Sequence, residues 1–232
     1  TFELITQHKS ISKENIQQQS SLTSADVLAN TGQIQIQKSQ LGGGSPILRG
    51  FEASRILLVV DGVRMNNVIY RSGHLQNAIS VDPNLLEGVN VIFGPNSLIY
   101  GSDALGGLVS YQSLYPEDLL GAEETFKIEL PVKYDGSSNQ TSGTTRIAVR
   151  DDESGFEGVV VTTISYGEED NVKADDKYID DSEITKKNIY TNIVKNIDDY
   201  SRINFIYENV DTKRDTNQAK ARLSSSYSSI EE

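Results

Sequence analysis

The sequence has 232 residues, 37% of them apolar, with 18 glycines and no cysteine. This length allows one large or two ordinary domains, and the lack of cysteine excludes disulfides, thiolate metal sites and cysteine nucleophiles. The net charge of −12 is uneven: up to Tyr115 there are seven Lys or Arg against eight Asp or Glu, and after it fourteen against twenty-five. This balance argues against nucleic acid as a partner, because phosphate binding needs clustered Lys and Arg.

No apolar run approaches the roughly 18 residues of a membrane-spanning helix. Thr1 begins inside what reads as a folded segment, without a secretory signal, so we expect an exported protein to have lost its leader already. A chain without cysteine fits either a reducing cytosol or a bacterial envelope protein that does without thiols.

The first part of the chain alternates short predicted strands and short predicted helices. We predict a strand over Phe2–Gln7, then a polar helix that the Ser12 hydroxyl caps and that ends near Gln19. A second helix is predicted to begin at Ser24, and the alternating residues Ile34–Gln37 predict a half-buried strand. Such alternation is typical of a compact α/β unit.

Three successive glycines, Gly42 to Gly44, predict a loop that runs into Pro46. Glycine-rich loops can bind phosphate, but this one lacks the spacing and the following lysine of a nucleotide-binding loop. A tight connection is the better interpretation.

The apolar run Ile56–Val60 predicts a strand covered on both faces and ended by a turn at Asp61-Gly62. Such a strand needs a packed domain around it. Further elements are predicted after it: a helical turn at Pro83–Leu86 capped by Asp82, a strand over Val89–Phe93, a second short turn from Asn96 to Tyr100 and a strand over Leu108–Tyr111.

From Glu123 onward the hydrophobic period is two residues. We count six candidate strands of about 7 to 11 residues each. They lie near residues 126–134, 145–150, 158–166, 189–197, 202–208 and 220–227. One-sided strands with tyrosines at their ends fit two architectures: a soluble sheet with its apolar face on a core, or an outer-membrane barrel with that face on lipid.

Two stretches resemble a known family. RGFEASRILLVVDGVRMNN and VNVIFGPNSLIYGSDALGGLVSYQS are similar to the plug domain of TonB-dependent outer-membrane receptors, which carry an RG pair, a strand ending in DGV and the pattern [RF]GPxSxxYGxxAxGG. The resemblance implies an α+β fold. A compact plug with a small mixed sheet and short helices would occupy residues 1–115, and antiparallel β-strands of an incomplete outer-membrane-type barrel would occupy residues 116–232.

The resemblance also implies a function without catalysis. The protein would be a receptor in the bacterial outer membrane that captures an iron source and passes it inward when a TonB-type energy transducer pulls the plug. It would contact membrane lipid if the barrel is complete. It would hold no intrinsic cofactor. Because family barrels have about 22 strands, the resemblance implies a fragment or an engineered truncation, and the segment that contacts the transducer would precede Thr1.

Within the family, DGVR, GHL and GGLVSY are most similar to the haem and haemoglobin receptor branch. In that branch the GHL histidine can be an axial ligand of haem iron at the apex of the plug, a position held here by His74. Tyr70 could stack on the ligand and Arg71 could meet a propionate. The alternatives are a surface histidine, packing roles for Tyr70 and Arg71, and a siderophore or other metal chelate as cargo.

Arg49 and Gly50 match the RG pair, which implies a contact between plug and barrel. Arg49 would form a buried ion pair in the lumen or lie solvated on the plug surface. Many family members latch the plug to the barrel through a glutamate and an arginine near the GP pair. Asn90 and Phe93 stand at those positions here, so the resemblance does not extend to that latch.

Two other function classes are a soluble binding module and an enzyme. A soluble binding or interaction module would pack its strands on the plug, and an enzyme would need a nucleophile and base, whereas the sequence has only His8 and His74 and no GxSxG. We interpret His8, which matches no motif, as structural. Acidic pairs such as Asp151-Asp152 lack the spacing of a calcium loop and are interpreted as solvated turns.

Overall fold

The computed structural model describes most of the chain. The described residues are 7–19, 21, 23–29, 31–37, 45–52, 55–65, 81–95, 100–101, 103–136, 139–169, 173–174, 177–178, 182–198 and 200–215. Four secondary-structure features predicted from the sequence lie outside them wholly or in part: residues 1–6 of the first strand, the loop at Gly42–Gly44, residues 96–99 of the second short turn and the candidate strand at 220–227. No helix within the described ranges is long and apolar enough to span a membrane.

The N-terminal half forms a mixed sheet with two short helices. Its elements are β1 (His8–Ser12), α1 (Lys13–Gln18), α2 (Ser24–Ala29), β2 (Ile34–Gln37), β3 (Ser45–Leu48), β4 (Ile56–Val60), β5 (Val63–Arg64), a 3₁₀ turn (Pro83–Leu85), β6 (Leu86–Phe93) and β7 (Gly107–Ser113). The sheet order is β1-β6-β7-β4-β5, in which β4 and β7 are parallel and the other neighbours antiparallel. Strands β2 and β3 form a separate antiparallel pair.

One apolar core holds these elements together. Ile16 of α1 and Val27 and Leu28 of α2 are buried in the same cluster as Leu58 of β4 and Val91 of β6. The predicted strand at Ile56–Val60 is confirmed in position, and its first three residues are buried whereas the last two are half-buried. The helices therefore pack against the sheet with the side that carries their apolar residues.

The helix starts show one correct and one wrong expectation. Helix α2 begins at Ser24 as predicted, and Thr23 and Asp26 cap it reciprocally, each side chain accepting a hydrogen bond from the other's backbone N–H at 3.1 and 2.9 Å. Ser12 precedes α1 but makes no capping bond. Its hydroxyl instead hydrogen-bonds the Glu14 side chain, which lowers the pKa of that carboxyl.

The predicted turn at Asp61-Gly62 is a two-residue hairpin between β4 and β5. Both residues lie in the left-handed region, at φ 47° and 82°, and Val60 pairs with Val63 across the turn. This conformation matches a type I′ turn, which favours Asn or Asp followed by Gly. Asp82 also caps the turn at Pro83 as predicted, accepting from the Asn84 N–H at 2.9 Å.

The second half of the chain forms a long antiparallel sheet after a connection that includes a 3₁₀ turn (Pro116–Asp118). Its strands are β8 (Phe126–Glu129), β9 (Val132–Asp135), β10 (Gln140–Asp151), β11 (Phe156–Glu169), β14 (Ser182–Asp198) and β15 (Ser201–Asp215), and a small hairpin of β12 (Lys173–Ala174) and β13 (Lys177–Tyr178) lies between β11 and β14. The order is β15-β14-β11-β10-β8, with β9 also on β10, and the sheet is not closed.

The single strand predicted over residues 126–134 is wrong in one respect. It divides into β8 and β9 around Leu130-Pro131, because proline has no N–H to donate to a ladder. Both pieces pair with β10 in one register, and the Pro131 carbonyl still accepts from the Thr144 N–H at 3.0 Å. The interruption therefore removes one donor without displacing the sheet.

Candidate functional site at the interface of the two sheets

The three residues predicted to bind ligand, Tyr70, Arg71 and His74, lie outside the described residues. The structure fixes both ends of the segment that carries them. Before it, the Met65 N–H donates to the Leu58 carbonyl at 2.9 Å, and after it Val81 is buried in the N-terminal core. Met65 and Val81 thus both belong to the N-terminal half, and ligand binding by Tyr70, Arg71 and His74 stays a prediction.

Arg49 and Gly50 form the turn after β3, at φ 49° and 83°, and both are exposed. The Arg49 guanidinium donates to the Gln7 side chain and lies 5.6 Å from the centre of the Phe93 ring. Both partners belong to the N-terminal half. The contact between this pair and a barrel, which the resemblance implies, stays a prediction.

The second sheet has an apolar face that is exposed and a polar face that is buried. Outward-facing apolar side chains include Phe126, Ile128, Val149, Val160, Ile164, Ile189, Ile193, Ile203 and Phe205. Buried polar side chains on the opposite face include Thr144, Arg146, Thr163, Ser165, Lys186, Asn188 and Asn192. A soluble sheet would bury its apolar face, so of the two architectures left open by the sequence this arrangement favours the barrel.

The buried face of the sheet packs against the N-terminal half and the connection that follows it. Leu114, Leu119 and Leu120 of the connection and Leu85 of the first 3₁₀ turn form one apolar cluster with inward-facing strand residues. The strand residues of this cluster are Ala148, Val159, Val161 and Tyr190. The two halves are therefore joined by a small apolar contact surrounded by polar groups.

Arg146 is a buried cation within that interface, with 3% of its side chain exposed. Its guanidinium donates to the Asn84 backbone carbonyl at 3.0 Å and pairs with Glu129 at 3.2 Å on the neighbouring strand. A buried charge is tolerated only when it is paired and hydrogen-bonded. Arg146 thus ties β10 to the turn that begins β6.

A chain of hydrogen bonds crosses the interface at the end of β7. Asp61 accepts from the Ser113 N–H at 2.9 Å and from the Ser113 hydroxyl at 2.6 Å. The Ser113 hydroxyl lies 2.8 Å from the Tyr190 hydroxyl, which lies 2.9 Å from the Leu114 carbonyl. Asn192 also reaches that carbonyl, at 3.3 Å.

Charged groups collect where the connection meets α1 and β6. Lys13 pairs with Glu87 at 3.2 Å and donates to the Asp118 carbonyl at 3.0 Å. Burial raises the pKa of the Glu87 carboxyl, an effect that Lys13 opposes and the nearby Asp118 reinforces. Burial also raises the pKa of the Asp118 carboxyl. Within the described part of the chain, no group of three or more His, Asp or Glu could hold a metal ion.

The interface residues Asp61, Ser113, Arg146 and Tyr190 were not predicted from the sequence as functional residues. Two signals were present. Arg146 is a lone cation at an inward position of an otherwise uncharged stretch, TTRIAV, and Asp61 stands in a turn where asparagine serves equally well. Neither signal identifies the residues that Arg146 and Asp61 contact, because the contacts at this interface join residues far apart in the sequence. Ser113 and Tyr190, for example, are 77 residues apart.

Comparison with known families identifies the N-terminal half. Residues 3–108 match the family model of the TonB-dependent receptor plug domain. This match covers the mixed sheet into β7 and stops before the long antiparallel strands. The residues that carry the resemblance in the sequence are thus part of a TonB-dependent receptor plug domain, and the family predicted from them is confirmed.

Curated relatives of the chain include a hemin receptor and a vitamin B12 transporter. The chain is 36% identical over 99 residues to a hemin receptor of Yersinia enterocolitica, an alignment that covers 42% of this chain and 14% of the relative. It is 37% identical over 112 residues to the vitamin B12 transporter BtuB of Vibrio vulnificus, covering 47% of this chain and 18% of the relative. The chain therefore spans less than a fifth of these relatives.

Solved structures extend the similarity to the second sheet. The siderophore receptor PiuA of Acinetobacter baumannii superposes with a TM-score of 0.69 at 20% identity, covering 91% of this chain and 27% of that one. The FrpB iron transporter of Neisseria meningitidis gives 0.72 at 17% identity, covering 89% and 32%. The predicted fold, a mixed plug sheet followed by antiparallel strands of an unclosed barrel, is confirmed, as is the outer membrane of Gram-negative bacteria as its location.

Proposed function

We propose that the protein acts as an outer-membrane receptor for TonB-dependent uptake of an iron source, haem or a haemoprotein. Residues 1–115 would form the plug that gates the barrel, and residues 116–232 its first strands. The observation that supports this most is the second sheet, which buries polar side chains against the plug and exposes apolar ones. A TonB-type energy transducer would be the partner that displaces the plug.

Haem is proposed as cargo on two grounds. The GHL segment at His74 is similar to the haem receptor branch, and two relatives are named hemin receptors, at 36% and 34% identity. A neutral imidazole can bind haem iron through one ring nitrogen. A siderophore or another metal chelate is the alternative, supported by the siderophore receptors among the structural neighbours.

The test is a titration of the 232-residue chain with haemin in detergent, followed at the Soret band. We expect a shift of the band on binding, lost in His74→Ala. His8→Ala is the matched control, because His8 is the only other histidine and is exposed at the start of β1. It should leave the shift intact.

Two results would contradict this proposal. A Soret band unchanged by the wild-type chain would remove haem as cargo, and calorimetric titration with ferric siderophores would then test the alternative. A shift that persists in His74→Ala would leave haem in place but remove His74 as its ligand.

A further inference from the structure

We propose that Asp61, Ser113 and Tyr190 form a latch that holds the plug sheet against the barrel strands, while residues 114–120 stay bound to those strands when the latch opens. This inference rests on the proposed function only for its role in transport. Its physical basis is the interface itself, and its test requires neither haem nor a transducer.

The latch begins at a turn that would not by itself require aspartate. Asp61 lies at φ 47°, a conformation that asparagine and glycine adopt readily. Its carboxylate accepts both the backbone N–H and the hydroxyl of Ser113, and its own N–H donates to the Tyr111 carbonyl at 3.1 Å. Asp61 thus binds the hairpin of β4 and β5 to the last residues of β7.

The direction of the hydrogen bonds follows from counting protons. The Ser113 hydroxyl has one proton. It donates this proton to the Asp61 carboxylate in the 2.6 Å hydrogen bond, because a carboxylate can only accept. Tyr190 must therefore be the donor to Ser113, and it shares its single proton between the Ser113 hydroxyl and the Leu114 carbonyl. The chain runs from the barrel strand to a carboxylate on the plug, which makes it charge-assisted.

Burial strengthens this chain. Ser113 is 4% exposed, Tyr190 1% and Asn192 not at all. Water therefore has little access to the hydroxyl groups, and hydrogen bonds in a low-dielectric environment reinforce one another. Opening the latch would leave buried polar groups unpaired.

The position of the latch also separates two apolar clusters. Along β7 and the connection, the plug core ends at Tyr111, and the cluster shared with the strands takes up Leu114, Leu119 and Leu120. Ser113 lies between them. The plug itself contributes only Leu85 to that cluster among the described residues. A plug that is pulled away would therefore part from the strands at the latch, at Leu85 and at the bond from Arg146 to the Asn84 carbonyl, and the leucines of the connection would remain in their strand contacts.

Among the residues that the structure describes, no equivalent link is formed where the resemblance would have placed a latch. Asn90 is bound to Ser10 at 2.6 Å and to Gln112 at 3.3 Å, both within the plug sheet. Phe93 is buried in the plug core. The Asp61 chain supplies the connection at a different point.

Hydrogen exchange of the 232-residue chain in detergent tests the latch. In Tyr190→Phe, which keeps the ring in the apolar cluster, we expect the Ser113 amide and its neighbours in β7 to exchange about tenfold to a hundredfold faster. Exchange in β10 and β11 should not change. Asp61→Asn should act in the same direction, since it keeps a residue suited to the turn but removes the charge.

Tyr207→Phe is the matched control, because Tyr207 loses the same hydroxyl on the outward face of β15. Unchanged exchange at Ser113 in Tyr190→Phe, or equal acceleration in the Tyr207→Phe control, would overturn the latch. Acceleration that spreads equally over all strands would show general destabilisation and would overturn it as well. Haemin binding is measured separately, so loss of the haem proposal leaves this result standing.

Discussion

Glu87 shows how a single residue at the interface couples stability to pH. Its carboxyl is partly buried beside Asp118, and Lys13 compensates the charge only in part. Because burial raises the pKa of Glu87 in the folded protein above its usual 4.5, the folded state binds more protons than the unfolded state just above that pH. The contribution of Glu87 to stability therefore falls as pH rises through this window.

We expect the free energy of unfolding to decline less steeply as pH rises above 4.5 in Glu87→Gln than in the wild type. Urea unfolding at a series of pH values measures this slope. Glu14→Gln serves as the control, because the pKa of Glu14 is lowered and its contribution has the opposite sign. An unchanged slope in Glu87→Gln would show that this carboxyl is solvated in the folded protein.

Among the elements, β7 depends on a glycine for its place in the plug sheet. Gly107 lies at φ 151°, and a Cβ there would stand 2.5 Å from the Ile92 carbonyl oxygen and 2.9 Å from a methyl carbon of Leu48. We expect Gly107→Ala to cost about 2 to 4 kcal/mol of stability, because backbone atoms of β6 must move. The midpoint of urea unfolding, followed by tyrosine fluorescence in detergent, measures the loss.

Gly143→Ala in β10 is the matched control for that substitution. A Cβ at Gly143 meets nothing within 4 Å, and its φ is not in the left-handed region. Its effect should stay within about 0.5 kcal/mol. Equal losses in the two variants would contradict the steric explanation and would indicate that glycine flexibility itself matters at both sites.

The elements themselves could largely be predicted from the sequence, because their signals are local. Alternation of apolar residues located β10, β11, β14 and β15, and the Asp61-Gly62 pair located the hairpin. The pairing of strands could not be predicted, since β1 lies beside β6 and β4 lies parallel to β7 through contacts between distant residues. The same holds for the interface, whose contacts depend on which strand meets which turn.

For the whole molecule, the decisive feature is which face of the second sheet is exposed. The period of two residues predicts which side chains share a face, but it does not predict which face is buried. In the structure Tyr190 and Arg146 are buried against the plug, whereas Ile164 and Phe205 are exposed. An exposed apolar band of this extent on a soluble monomer would be an aggregation liability. A lipid environment removes that conflict.

This arrangement predicts that a charge on the outward face is costly according to its depth in the bilayer. Ile164 is 61% exposed in the middle of β11, and Ile197 is 59% exposed at the end of β14, beside a turn. In lipid, Ile164→Arg should cost about 2 to 4 kcal/mol and Ile197→Arg at most about 1. Urea titration of each variant refolded in phosphatidylcholine vesicles measures both. Equal costs at the two positions would favour a soluble module over a membrane-inserted sheet, because water solvates both positions alike whereas a bilayer does not. A wild-type chain that is a monodisperse monomer without detergent would favour the soluble module as well.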